Sequence, residues 1–98
     1  MATSKILNLL GLAKRAGKII DGEGRVLSSF KSEKSMLIFL ASDTGENIKK
    51  KILDKARFYQ VEVNQTYTTD ELSRAIGKNN RKVLALIDKN FIDLIAKN

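Results

Sequence analysis

The spacing of apolar residues changes several times along the chain, and each change marks an element. Ile6, Leu9, Leu10 and Ala13 recur at helical spacing. They predict a first helix from about Thr3 or Ser4 to Ala16, with Gly17 just past its end, where a left-handed residue commonly closes a helix. Ile19 and Ile20 are β-branched and predict a short strand. Val26, Leu27 and Phe30 put an apolar face on a second helix, from about Arg25 to Phe30. Met36 to Ala41 is an unbroken apolar run, which predicts a strand covered on both faces. Asp43 with Glu46 resembles a capping box. The third helix then runs to about Tyr59 on Ile48, Ile52, Ala56 and Tyr59. Val61 and Val63 alternate with polar residues, predicting a half-exposed strand that ends near Thr66. Thr68 with Glu71 is a second capping-box pattern, opening a short helix with Leu72, Ala75 and Ile76 that Gly77 closes. Val83 to Ile87 is another apolar strand. Asp88 caps a last helix bearing Phe91, Ile92, Leu94 and Ile95. Phe30, Phe39, Phe58 and Phe91 all fall at positions expected in the core.

Helices and strands alternate at short spacing throughout. This predicts one domain over residues 1–98, an α/β/α sandwich of three layers around a mixed sheet of about four strands. No repeat, low-complexity tract or linker interrupts it.

Charge narrows the partner. The chain carries 18 basic and 11 acidic residues, a net +7. Residues 1–34 hold seven basic and three acidic groups and residues 71–98 hold six and three, whereas residues 35–70 hold five of each. The excess lies toward the two ends of the sequence, and points to an anionic partner. Ile6 to Ala13 faintly resembles a secretory core, but Asn8 interrupts it and Lys14 and Arg15 follow at once. No apolar run approaches the ~20 residues that span a bilayer. The expectation is a soluble, cytoplasmic protein.

Composition also removes chemistry. The sequence has no Cys and no His, so it lacks thiolate nucleophiles, the commonest general base and the commonest metal ligands. Gly77-Lys78 has no glycine at the spacing of a phosphate loop. Gly22-x-Gly24 lacks the third glycine of a dinucleotide site. Asp43, alone at the end of a strand, reads as a helix cap. No catalytic residue, metal or cofactor is expected. Glu46, Asp54 and Glu62 balance most of the charge of the basic residues of the third helix, as on a solvated face.

Two segments stand out. Gly22, Glu23, Gly24 and Arg25 form a flexible turn feeding a helix, with Lys14 and Lys18 nearby in sequence. Free N–H groups at such a turn suit phosphate oxygens. Lys78, Asn80, Arg81 and Lys82 form a second basic turn between a helix and a core strand. If the two turns meet at one end of the sandwich, lysines and arginines contact phosphates, and Arg25, Glu23 or exposed backbone meets bases. Aromatic residues are too few for a stacking platform, so RNA recognition by shape fits better.

The chain resembles the kink-turn RNA-binding ribosomal proteins, in particular the small bacterial YlxQ-like branch. The resemblance rests on Leu12-Ala13-x-x-Ala16-Gly17-Lys18, on Gly22 opening the second helix, on Leu37 to Asp43, and on Leu72-Ser73-Arg74-Ala75-Ile76-Gly77-Lys78. It implies a sandwich that binds a sharply bent RNA stem with tandem sheared G·A pairs. The expected partner is ribosomal RNA or another kink-turn RNA, with ribosome association and a monomeric state. The family's Gly-x-Asn-Glu-x-x-Lys motif falls on Gly22 to Ser28, where only the glycine is retained; Gly24, Arg25 and Ser28 take the other motif positions. The family's second RNA-contacting loop falls on Lys78 to Lys82. A protein-interaction module on the same fold is the alternative, and an enzyme acting on a phosphorylated metabolite is a third reading.

Overall fold

The computed structural model describes residues 4–97. Its elements are α1 (Lys5–Arg15), β1 (Ile19–Asp21), α2 (Glu23–Ser29), β2 (Leu37–Leu40), α3 (Glu46–Tyr59), β3 (Glu62–Asn64), α4 (Thr69–Ala75), β4 (Val83–Leu86) and α5 (Lys89–Ala96). Ser4 caps α1, its hydroxyl accepting the Ile6 N–H at 3.0 Å; Thr3 lies outside the described residues.

The strands form one sheet in the order β1-β4-β2-β3. β4 runs antiparallel to both β1 and β2, and β2 runs parallel to β3. The two apolar runs supply the central strands, and every residue of β2 and β4 is buried. Their side chains alternate between faces. Leu37, Phe39, Leu84 and Leu86 pack with Leu10 and Ala13 of α1, Leu72 of α4 and Ile95 of α5. Ile38, Leu40, Val83 and Ala85 pack with Val26 of α2 and with Ile52 and Ala56 of α3. The result is the three-layer mixed-sheet sandwich that the alternating pattern predicts.

α1 approaches α4 closely at Gly11. A Cβ added at Gly11 would sit 2.9 Å from the carbonyl oxygen of Ala75. Gly→Ala in a helix interior ordinarily stabilises by about 0.8–1.0 kcal/mol. Here the neighbour is rigid main chain, so Gly11→Ala is expected to destabilise by about 1–3 kcal/mol, read from the urea midpoint.

Several boundaries and placements differ from the sequence reading. α2 begins at Glu23 rather than near Arg25, so Gly24 lies in the first helical turn and is no hinge. Asp43 does not cap α3; Gly45 holds that position. The Asp43 carboxylate instead accepts the Thr69 N–H at 2.9 Å and the Thr69 hydroxyl at 2.7 Å. Those two bonds hold it below its ordinary pKa, because they favour the charged form. They also tie the end of β2 to the start of α4. The Thr68–Glu71 capping box is present. Phe58 is not a core residue: it is 79% exposed. The inward stripe of α3 runs through Ile48, Ile52, Ala56 and Tyr59, and Phe58 stands one position, or about 100°, off that line.

Candidate nucleic-acid interface

The antiparallel pairing of β1 with β4 puts the exit of one strand beside the entrance of the other. Asp21 pairs with Leu84 in the register, and the Gly22 N–H donates to the Val83 carbonyl at 3.1 Å. β2 completes the edge, with the Ala41 N–H donating to the Lys82 carbonyl at 2.8 Å. The chain on either side of those positions is the two basic turns. They meet at one end of the sheet.

A single carboxylate joins them. Asp21 is 6% exposed. Its Oδ2 lies 3.4 Å from Lys14 Nζ and its Oδ1 lies 3.7 Å from Arg81 Nε. Lys14 comes from the last turn of α1 and Arg81 from the loop before β4, so three separate segments converge on this group. Ser73 of α4 adds a second fastening. Its buried hydroxyl accepts the Arg81 N–H at 2.8 Å and donates to the Arg81 carbonyl at 3.3 Å. Asn80 takes a left-handed φ of 53°, a conformation asparagine tolerates better than most residues. The guanidinium of Arg81 donates to the Asn79 carbonyl at 3.2 Å.

Gly22 precedes α2 with φ 95° and ψ 143°, a region closed to residues with a Cβ. Glu23 forms an ion pair with Lys51 of α3 at 3.5 Å, and is therefore partly neutralised. Arg25 is exposed one residue beyond Gly24. Ser28 donates back to the Gly24 carbonyl at 3.0 Å. Gly17 and Gly77, with φ of 75° and 70°, close their helices.

The edge thus gathers Lys14, Gly22, Arg81 and Lys82 through direct contacts, with Glu23, Gly24 and Arg25 in the adjoining helical turn and Lys78 and Asn80 in the adjoining loop. Lys18 stands apart. Its carbonyl accepts the Ile87 N–H at the other end of β4, about 13 Å of strand from Gly22. Asp21 and Ser73 were missed in the sequence. A lone acid at the end of a strand gives no motif, although its place between two cation-rich segments is a usable signal.

Other features lie elsewhere. A groove of about 620 Å³ runs between α1 and α4 and is lined by Leu7, Gly11, Leu12, Ala75 and Ile76, with Arg15 and Arg74 among its polar residues. Among the described residues, no helix is long and apolar enough to cross a membrane.

This arrangement is that of a small α/β/α protein of ribosomal-protein type, in which a helix-opening glycine meets a basic loop at one end of the sheet. Residues 4–95 match the ribosomal protein L7Ae/L30e/S12e/Gadd45 family, and the chain belongs to that family. It is 41% identical over 87 residues to the RNA-binding protein YlxQ of Enterococcus faecium, covering 89% of this chain and 84% of that protein. It is 37% identical over 83 residues to the RNA-binding protein YlxQ of Bacillus subtilis strain 168, covering 85% and 83%. A solved structure of a protein of unknown function from Bacillus halodurans superposes with a TM-score of 0.90 at 39% identity, covering 97% of this chain and 96% of that one.

Proposed function

We propose that this chain is a non-catalytic, cytoplasmic RNA-binding domain that takes a sharply bent, kink-turn-like stem on the Gly22–Arg25 and Lys78–Lys82 edge, in association with ribosomal RNA. The observation that carries the reading is the Asp21 junction, which assembles cations from α1 and the β4 loop beside the start of α2. The names of the two relatives support the same partner class. Lys14, Lys78, Arg81 and Lys82 meet phosphates, with Lys18 reaching an outlying one. Gly22 to Arg25 approach the G·A region, where Arg25 meets guanine O6 and N7.

The test is binding to a stem carrying tandem sheared G·A pairs against a straight duplex of equal length. Arg25→Glu is expected to weaken bent-stem binding about tenfold, within the range of one base contact. Lys50→Glu serves as control, since Lys50 is paired with Asp54 at 2.8 Å on an exposed face. Each phosphate contact adds about −0.7 to −0.9 to the slope of log affinity against log salt. Equal losses in the two variants, or equal affinity for the two RNAs, overturn the reading.

One observation favours a second reading, a protein-docking role: Leu12 is half exposed beside the α1–α4 groove. Partners that survive ribonuclease treatment of a pull-down and are lost in Leu12→Ser support it.

A further inference from the structure

Phe58 is the exposed side chain the fold leaves unexplained. At 79% it is far more open than Leu12 or Leu94, at 50% and 45%. Its ring is nevertheless supported. It meets the Tyr59 ring edge-on at 5.0 Å, and Tyr59 stacks on Phe30 at 5.6 Å. Phe30 is buried at the end of α2.

One turn before Phe58 on α3 lies Lys55. With Leu27, Ser28 and Lys31 it lines a hollow of about 310 Å³ between α2 and α3. No ion pair among the described residues engages Lys31 or Lys55. Glu23 of α2 and Asp54 of α3 are already paired with Lys51 and Lys50. α2 and α3 both start at the edge described above, after Gly22 and Gly45. The Lys51–Glu23 pair spans the near end of their groove, and the Lys31–Lys55 hollow lies farther along it. A line of cations thus leads from the edge to an open aromatic face.

We propose that the α2–α3 groove is a second RNA contact that takes single-stranded RNA leaving the bent stem, with phosphates on Lys31 and Lys55 and an unpaired base against Phe58. The inference rests on the RNA-binding reading of the edge and extends it. A hollow this size between two helices holds a nucleotide and not a duplex. Unpaired bases stack on aromatic rings without regard to sequence, and cations alongside track the backbone. A single ring flanked by lysines suits that ligand better than an apolar protein partner, which needs a contiguous patch.

The experiment compares three RNA probes by fluorescence anisotropy: a bent stem with sheared G·A pairs, the same stem with an eight-uridine tail, and the octauridine alone. In the unaltered protein the tail is expected to tighten binding about tenfold, the increment of roughly one stacked base. Phe58→Ala removes that gain without changing stem-only affinity or the melting midpoint, and Phe58→Tyr keeps it. Changing both Lys31 and Lys55 to Gln lowers the salt slope of the tailed probe by about 1.4, two single-strand phosphates. A tail that adds nothing, or a gain that survives Phe58→Ala, overturns the proposal. If the bent stem is not bound but octauridine is, in a Phe58-dependent way, this contact stands and the kinked-stem reading falls. If neither RNA binds, both fall.

Discussion

Gly22→Ala is expected to cost about 1–3 kcal/mol of stability, because it forces a Cβ into a backbone region essentially reserved for glycine. The same change weakens bent-stem binding by more than tenfold on the proposed reading, since it moves the start of α2 against the β4 loop. Gly24→Ala is the matched control. Neither position has an atom within 4 Å of an added Cβ, so steric crowding does not separate them. They differ in conformation: Gly22 has φ 95°, whereas Gly24 is helical. Replacing a helical glycine by alanine stabilises by about 0.4–1 kcal/mol. Urea unfolding should therefore move in opposite directions for the two variants. An undiminished urea midpoint in Gly22→Ala would show that the turn tolerates a side chain and that the edge does not depend on this backbone.

The second large effect concerns Asp21. Asp21→Ala removes a 6%-exposed carboxylate from between two cations that keep 30% and 37% of their side-chain surface in water. That residual exposure softens the loss, since Lys14 can turn out to solvent. Arg81 is less free. Its Nε is buried with no hydrogen-bond partner beyond the carboxylate pairing. Leaving it unpaired is expected to cost about 1–2 kcal/mol. Binding should respond in two ways. The net charge rises from +7 to +8, which strengthens attraction to any duplex. Lys14 and Arg81 meanwhile lose their common anchor, so affinity for the bent stem falls. The measurement is the ratio of bent to straight affinities in parent and variant. An unchanged ratio together with an unchanged urea midpoint would remove Asp21 from the architecture of the edge.

The fold was legible in the sequence because its central strands are written as unbroken apolar runs. Leu37–Leu40 and Val83–Leu86 are buried on both faces, as strands of this kind are when helices lie on both sides of the sheet. The capping box at Thr68 and the closing glycines at 17 and 77 were equally plain, since both act over a few neighbouring residues. Long-range partnerships were not. Asp43 looks like a cap because Glu46 lies three positions on, yet its carboxylate serves Thr69, and no local rule anticipates a bond across 26 positions. Phe58 reads as core by chemistry alone; only its angle on α3 puts it outside. The two basic turns were each visible, but their meeting depends on β1 pairing with β4, a choice of neighbour that spacing does not encode. Asp21 and Ser73 matter only once that pairing exists.

The outer strands of the sheet are only three residues long, Ile19–Asp21 and Glu62–Asn64. Each offers few open main-chain donors and acceptors, and Glu62 places a charge on one of them. Another copy approaching side by side finds almost no ladder to extend. Growth of the sheet by strand addition into ribbons or fibrils is thereby blunted at both margins, so crowded solutions of the folded protein are protected from that route to aggregation.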